Sequence, residues 1–230
     1  MMNNRQEPMV LRHPFMSRLY HWCLIFGFLP AAITGAMIWL KFGGENVVNW
    51  AMRIHIMGAT LFTLSTIAYA LFSFDRVVHF FHTIFSWNKN DIEWLKVGGG
   101  YPQKMLLGKK IAVPPMGKIN SGQKMMGLIM AFGGAFIMVS GWILYAFIPF
   151  TPKVVIYWLG FGHLWGGLFL LLCTLAHMGL GIYNWSEFKA MLGNGTVPLS
   201  VAKDHNPLWV ENDLEPVAEK PSKETVSSPV

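Results

Sequence analysis

Charge is what this sequence has least of. Of its 230 residues, 13% are Asp, Glu, Lys or Arg and 53% are hydrophobic, against about 25% charged in an ordinary soluble domain. A soluble enzyme has no support in such a composition. Cysteine is almost absent as well. The two present, Cys23 and Cys173, fall in apolar runs, which excludes a disulfide framework, a zinc site and cysteine ligation of iron–sulfur clusters. There is no Cys-x-x-Cys-His motif, so covalently attached c-type haem is excluded too. The net charge of +6 would suit nucleic acid. The placement of the basic residues accounts for it better as membrane topology, and no nucleic-acid partner is expected.

What the chain has is apolar length. The stretch from Val154 to Trp185 carries no acidic or basic residue and exceeds the roughly 20 residues that cross a bilayer as a helix. Three more runs read the same way, giving spans at about 19–40, 50–74, 125–148 and 154–185. The first is too long, and lacks the small-residue cleavage site, for a signal peptide. Pro30 and Gly35 inside it are tolerable where neighbouring helices satisfy the freed backbone groups. The expected organisation is a polar segment 1–18, a membrane domain 19–188 that includes a long polar connection 75–123, and a tail 189–230. The tail ends in a Pro, Glu, Lys and Ser mixture expected to be disordered beyond about Glu215.

Basic residues set the orientation. The second connection holds Arg76, Lys89, Lys96, Lys104, Lys109, Lys110 and Lys118. The first and third connections, with the start of the second span, hold Lys41, Arg53 and Lys153. The positive-inside rule then places both termini and the long connection in the cytoplasm. That fixes the depth of each membrane histidine. His21 begins an outward-going helix and lies near the inner face, whereas His55 begins an inward-going one and lies near the outer face. On the fourth span His163 is outer and His177 inner. The interval between these two is almost four whole helical turns, so both leave nearly the same face, about 21 Å apart along the axis.

Depth therefore matches His21 with His177 and His55 with His163. An ionisable side chain inside a membrane is a functional hypothesis by default, and neutral imidazole is a common haem ligand. Two stacked haems b, each held by two histidines, are the expected cofactors. His21 or His55 taken singly reads as an ordinary interfacial residue near a helix end; the two depth-matched pairs carry the argument. Gly58, Gly166, Gly167, Gly179 and Gly181 lie near the ligands, where they either admit a flat macrocycle or serve helix packing. His13, His79, His82 and His205 are expected at the surface, with His79 and His82 on one helical face that could line a proton path. Asn120 to Met126 opens the third span at the cytoplasmic edge. Asn120 and the free amides there suit either a quinone carbonyl or an ordinary helix cap, and the residues alone favour the cap.

Several longer motifs are more distinctive: His21-Trp22, Arg53-Ile54-His55, Asp91-Ile92-Glu93-Trp94-Leu95, Gly117-Lys118-Ile119-Asn120-Ser121-Gly122-Gln123-Lys124-Met125-Met126, Ala176-His177-Met178 and Ala202-Lys203-Asp204-His205-Asn206-Pro207-Leu208-Trp209. With these, from Arg12 to about Asn212, the chain resembles the cytochrome b (gamma) subunit of membrane-bound respiratory formate dehydrogenases. The resemblance implies an all-α, four-helix diheme bundle in the bacterial inner membrane, with His21 and His177 on the inner haem and His55 and His163 on the outer one. It also implies a quinone site of Asn120, Gly122 and His177, with menaquinone the expected acceptor. The partners would be an iron–sulfur (beta) subunit and a molybdenum- or tungsten-containing catalytic (alpha) subunit that oxidises formate. This chain by itself would have no formate activity. Ser121 in place of the usual alanine, and Asp204-His205-Asn206 in place of a double histidine, depart from the family pattern and leave the subfamily open. The same scaffold could serve a thiosulfate or tetrathionate reductase or a nickel–iron hydrogenase, and a haem-free structural anchor is the remaining alternative.

Overall fold

Residues 7–214 are described by a computed structural model; the expected disorder beyond Glu215 lies outside them. The chain divides into two compact units. One comprises Leu11–Ser86 and Lys124–Thr196, the other the N-terminal residues to Val10, Trp87–Gln123 and the segment from Val197. Apart from two short paired strands, β1 (Met9–Leu11) and β2 (Thr196–Pro198), the described residues are helical or irregular.

The first unit is built on helices long and apolar enough to span a membrane: α1 (Phe15–Trp39), α2 (Gly44–Phe72), α6 (Ser121–Ala146) and α7 (Lys153–Tyr183). Each of α1, α2 and α6 begins before its apolar run, because a helix continues into polar residues at the interface, where hydropathy stops marking it. The return from α1 to α2 is tight. Lys41, Gly43 and Gly44 all take positive φ (49°, 80° and 81°), a conformation for which glycine carries no steric cost.

Packing follows from small residues. A Cβ on Gly27 would lie 2.6 Å from the Phe62 nitrogen, and one on Gly58 would lie 2.6 Å from the Gly27 oxygen, so α1 and α2 meet backbone to backbone. Gly133 of α6 seats Leu170 of α7, and Gly134 of α6 faces the Phe62 ring of α2. Large apolar side chains point outward instead: Phe26, Leu64, Phe132 and Leu172 are each more than half exposed. In water this arrangement would be unstable; in a bilayer it is the lipid-facing surface.

Inside the stretch expected as a polar connection the structure places α3 (Phe74–Phe85), split from α2 at Ser73. Its Val77, Phe80, Phe81 and Ile84 alternate with Asp75, Arg76, His79 and His82 at helical spacing. Ile84 is fully buried, and Gly127 of α6 leaves the space that Ile84 and Phe80 fill. Lys124 Nζ donates to the Ser86 carbonyl at 2.8 Å, setting a cation at the negative end of α3.

After α7, α8 (Trp185–Leu192) ties back to the start of α1. Arg12 Nε donates to Glu187 Oε2 at 3.2 Å, His13 Nε2 lies 3.4 Å from the same oxygen, and Trp22 Nε1 donates to the Met191 carbonyl at 3.2 Å. Arg18 also donates to the Gly193 carbonyl. Gly195 sits at φ +86°, and a Cβ there would collide with the His13 carbonyl. Burial raises the Glu187 carboxyl, but the His13 hydrogen bond and the Arg12 charge outweigh it and hold it below the ordinary carboxylate range. Between the folded and unfolded values the unfolded chain binds more protons, so this contribution to stability is complete above the ordinary glutamate range. It is lost as pH falls through the folded value. Thermal unfolding followed across acidic pH should show that loss in the native chain, and Glu187→Gln should flatten it.

The second unit is organised around α4 (Lys89–Lys96) and the segment before α6. Asn88 caps α4 in a reciprocal box: the Asp91 amide donates to Asn88 Oδ1 at 3.2 Å, and the Asn88 amide to Asp91 Oδ2 at 3.0 Å. The turn Gly98–Gly100 leads to α5 (Tyr101–Leu107). The three glycines have φ of 58°, 62° and 76°, and any side chain on Gly99 would run into the Trp94 ring. Beyond β2 come α9 (Leu199–His205) and the single turn Pro207–Trp209. Met116, Val197, Ala202, Asn206, Trp209 and Val210 are all buried here.

Candidate functional site

The membrane unit brings the four histidines together two by two. The His55 (α2) and His163 (α7) ring centres are 6.1 Å apart with planes at 74°; those of His21 (α1) and His177 (α7) are 6.2 Å apart at 59°. A metal–imidazole nitrogen bond is about 2 Å and the nitrogen lies about 1.1 Å from the ring centre, so imidazoles on opposite sides of one metal have centres about 6 Å apart. Both pairs have that spacing. Among the described residues no cluster of three His, Cys, Asp or Glu exists that could hold a metal by side chains alone. Two imidazoles alone would not complete a metal's coordination, which suits a metal that brings its remaining ligands with it in a macrocycle.

The outer pair is oriented from behind. His55 Nδ1 lies 2.8 Å from the Ala31 carbonyl, which only accepts, so Nδ1 carries the proton. His163 Nδ1 lies 3.0 Å from Ser140 Oγ, which itself donates to the Phe136 carbonyl at 2.7 Å and is left to accept from the imidazole. Each ring therefore keeps Nε2 as its free lone pair, the tautomer a metal needs. Ser140→Ala should weaken the binding of a metal-centred cofactor at the His55–His163 pair by about 10- to 100-fold, as losses of such supporting partners typically do, without affecting the His21–His177 pair. Titration of the variant with haem, followed by difference spectra, checks this.

A cavity of about 460 Å³ lies against the outer pair, lined by His55, His163, Gly35, Gly141, Gly160 and Gly167 among mostly apolar groups; pockets for bound cofactors commonly fall between about 300 and 1,000 Å³. Its polar wall groups are satisfied: Trp142 Nε1 donates to Thr63 Oγ1 at 2.9 Å, and Thr63 donates to the Ala59 carbonyl at 2.8 Å. The glycines divide by role. Gly58 serves backbone packing, whereas Gly167 has nothing within 4 Å of a Cβ and lines the cavity. Gly35 and Gly141 matter most directly: a Cβ would come within 3.2 Å of His55 Cε1 and 2.9 Å of His163 Cε1 respectively. From the sequence, Gly35 is marked only as a tolerated helix breaker, and Ser140 and Gly141 not at all, although a Ser-Gly pair inside an apolar span is a signal.

At the inner pair, His21 Nδ1 is buried with no hydrogen-bond partner among the described residues, and His177 is exposed. His13, expected at the surface, is half-buried beside Glu187. His205 lies 3.7 Å from Asp204 on α9.

In the second unit Asn120 is the cap of α6. The Gln123 amide donates to Asn120 Oδ1 at 2.9 Å, and Gln123 Oε1 accepts from the Asn120 amide at 3.0 Å. The cap uses Oδ1 and leaves the side-chain NH2 as the group able to donate to a carbonyl. Gly122 faces Trp94, whose ring a Cβ would meet at 2.9 Å, so packing alone already requires glycine there. Ser121, the departure from alanine, is fully buried and donates to Asp91 Oδ1 at 2.9 Å.

A family model described as Prokaryotic cytochrome b561 matches residues 12–194. The nitrate-inducible formate dehydrogenase cytochrome b556(Fdn) subunit of Escherichia coli is 27% identical over 96% of this chain and 99% of its own length. The formate dehydrogenase cytochrome b556 subunit of Haemophilus influenzae is 25% identical over 89% of this chain and 84% of its own. The cytochrome b556(fdo) subunit of Escherichia coli is 23% identical over 89% and 93%.

Proposed function

The chain belongs to the prokaryotic cytochrome b561 family, and from that premise we propose that it is the diheme cytochrome b subunit of a membrane-bound formate dehydrogenase, carrying electrons from an iron–sulfur partner across the membrane to quinone. The carrying observation is the two pairs of imidazoles, with ring centres 6.1 and 6.2 Å apart, in a four-span chain that aligns over nearly its whole length with formate dehydrogenase cytochrome subunits. Haem b, when bound, would supply a reversible one-electron iron couple, and paired histidines would suit it to moving electrons.

The chain's own residues do the rest. His55 and His163, oriented by the Ala31 carbonyl and the Ser140 hydroxyl, would hold the outer group, and His21 and His177 would hold the inner one. Phe28, Trp39, Trp142 and Leu164 wall the cavity beside His55 and His163 with apolar surface. Asn120 donates its side-chain amide to a quinone carbonyl. The family resemblance supports adding Gly122 and His177 to the quinone residues, with menaquinone as the acceptor. The lysine-rich segment 75–123 lies in the cytoplasm by the positive-inside rule, so protons for the quinol come from that side. Inward electron movement against the membrane potential then stores about 2.3 kcal/mol per charge per 100 mV. An iron–sulfur subunit and a molybdenum- or tungsten-containing formate-oxidising subunit complete the assembly.

The test uses the detergent-purified complex. Formate should reduce the cytochrome b absorbance, and a menaquinone analogue should reoxidise it. Asn120→Ala should leave haem content and formate reduction intact and slow only reoxidation. Haems that formate cannot reduce would assign the chain to another partner enzyme, and unchanged quinone kinetics in Asn120→Ala would remove that residue from the quinone site.

A further inference from the structure

Asn120 occupies a short segment gripped at both ends. At one end Asn206, 2% exposed, donates its Nδ2 to the Gly117 carbonyl at 2.5 Å, and the Leu208 amide donates to the adjacent Met116 carbonyl at 3.2 Å. Lys118 Nζ sits 5.2 Å from the centre of the buried Trp209 ring. At the other end Asp91, 1% exposed, accepts from the Ser121 hydroxyl at 2.9 Å. The Met116 sulfur packs on that hydroxyl at 3.4 Å.

We propose that Asn206 and Asp91 are positioning residues for quinone reduction, holding the segment 116–121 from its two ends so that the Asn120 amide is fixed where a quinone carbonyl must meet it. The inference rests on the reading of Asn120 as a quinone residue. Buried polar groups of this kind are costly to leave unpaired, and a fold needing only to bury Trp209 and Met116 would do so with apolar contacts. These hydrogen bonds specify a backbone path instead. Capping by Gln123 locks the Asn120 side chain relative to α6, but Gly117, with nothing within 4 Å of a Cβ, gives the approach to the cap no packed side chain to hold it. Asn206 grips the carbonyl of that glycine. The stretch 204–209 thus serves the segment before α6 rather than ending the chain as a passive tail.

The experiment measures quinone-analogue kinetics, haem content and formate reduction in the whole complex. Asn206→Leu keeps the volume, removes the donor and should raise the quinone KM roughly tenfold, the scale of one lost buried hydrogen bond. Both haems should remain and be reduced by formate, with kcat little changed. Asn206→His, which restores an N–H donor, should recover most of the loss. Ser121→Ala releases the other end without opening a large cavity, should raise KM in the same direction, and decides the matter if Asn206→Leu fails to assemble. Wild-type KM in these variants while Asn120→Ala is impaired would overturn the clamp and spare the quinone assignment. Wild-type kinetics in Asn120→Ala as well would overturn both. Loss of haem in parallel with the rise in KM, in both Asn206→Leu and Ser121→Ala, would reduce the contacts to general stability and also overturn the proposal.

Discussion

His177→Ala should remove one haem and abolish quinone reduction together, while the other haem should remain bound and formate-reducible. The expectation follows from how differently the two pairs are supported. His21 faces His177 at 6.2 Å and has no second hydrogen-bond partner of its own among the described residues. With His177 gone, one unoriented imidazole is left to hold the inner group. The outer pair has its own carbonyl and hydroxyl supports, and the Gly27–Gly58 and Gly133–Leu170 contacts that assemble the helices do not involve His177. Haem per protein should therefore fall by half, and quinone turnover should fall to background. Retained turnover with one haem would place quinone chemistry elsewhere on the chain.

His163→Ala gives the opposite signature. Its loss strips the outer site of a ligand and of the Ser140 hydrogen bond that orients it, and the site beside the 460 Å³ cavity should lose its haem. The inner haem should stay bound and remain reducible by a quinol from its own side, but no longer by formate. Stopped-flow spectra with each reductant separate the two variants: one loses the exit and keeps the formate-driven signal, the other keeps the exit and loses that signal. If both variants lost both haems, the sites would be one cooperative unit and the assignment of separate roles would fail.

Much of this was legible in the sequence because membrane helices write their positions in hydropathy and basic flanks. The four spans, and the depth matching of His21 with His177 and His55 with His163, needed only helix rise and orientation. What stayed illegible depends on how closely helices approach. Ser140 becomes an acceptor for His163 only because α6 lies against α7, and nothing in its spacing along α6 says so. Gly58 and Gly167 looked alike as small residues near ligands, yet one meets the Gly27 backbone and the other lines a cavity. The amphipathic α3 lies in a stretch whose lysines mark it as a polar connection, although His79 and His82 share a helical face and its apolar residues repeat at helical spacing. In the Asn120 motif, glycine at 122 is required by Trp94, a contact between residues far apart in sequence. Sequence spacing cannot separate that packing demand from a functional one.

The central claim is that these four histidines hold two haems b. A pyridine haemochrome assay with protein quantitation on the purified complex tests it most directly. The account predicts two haems b for each copy of this chain. No haem in a properly matured preparation, or a stoichiometry unchanged by His177→Ala and His163→Ala, would contradict it.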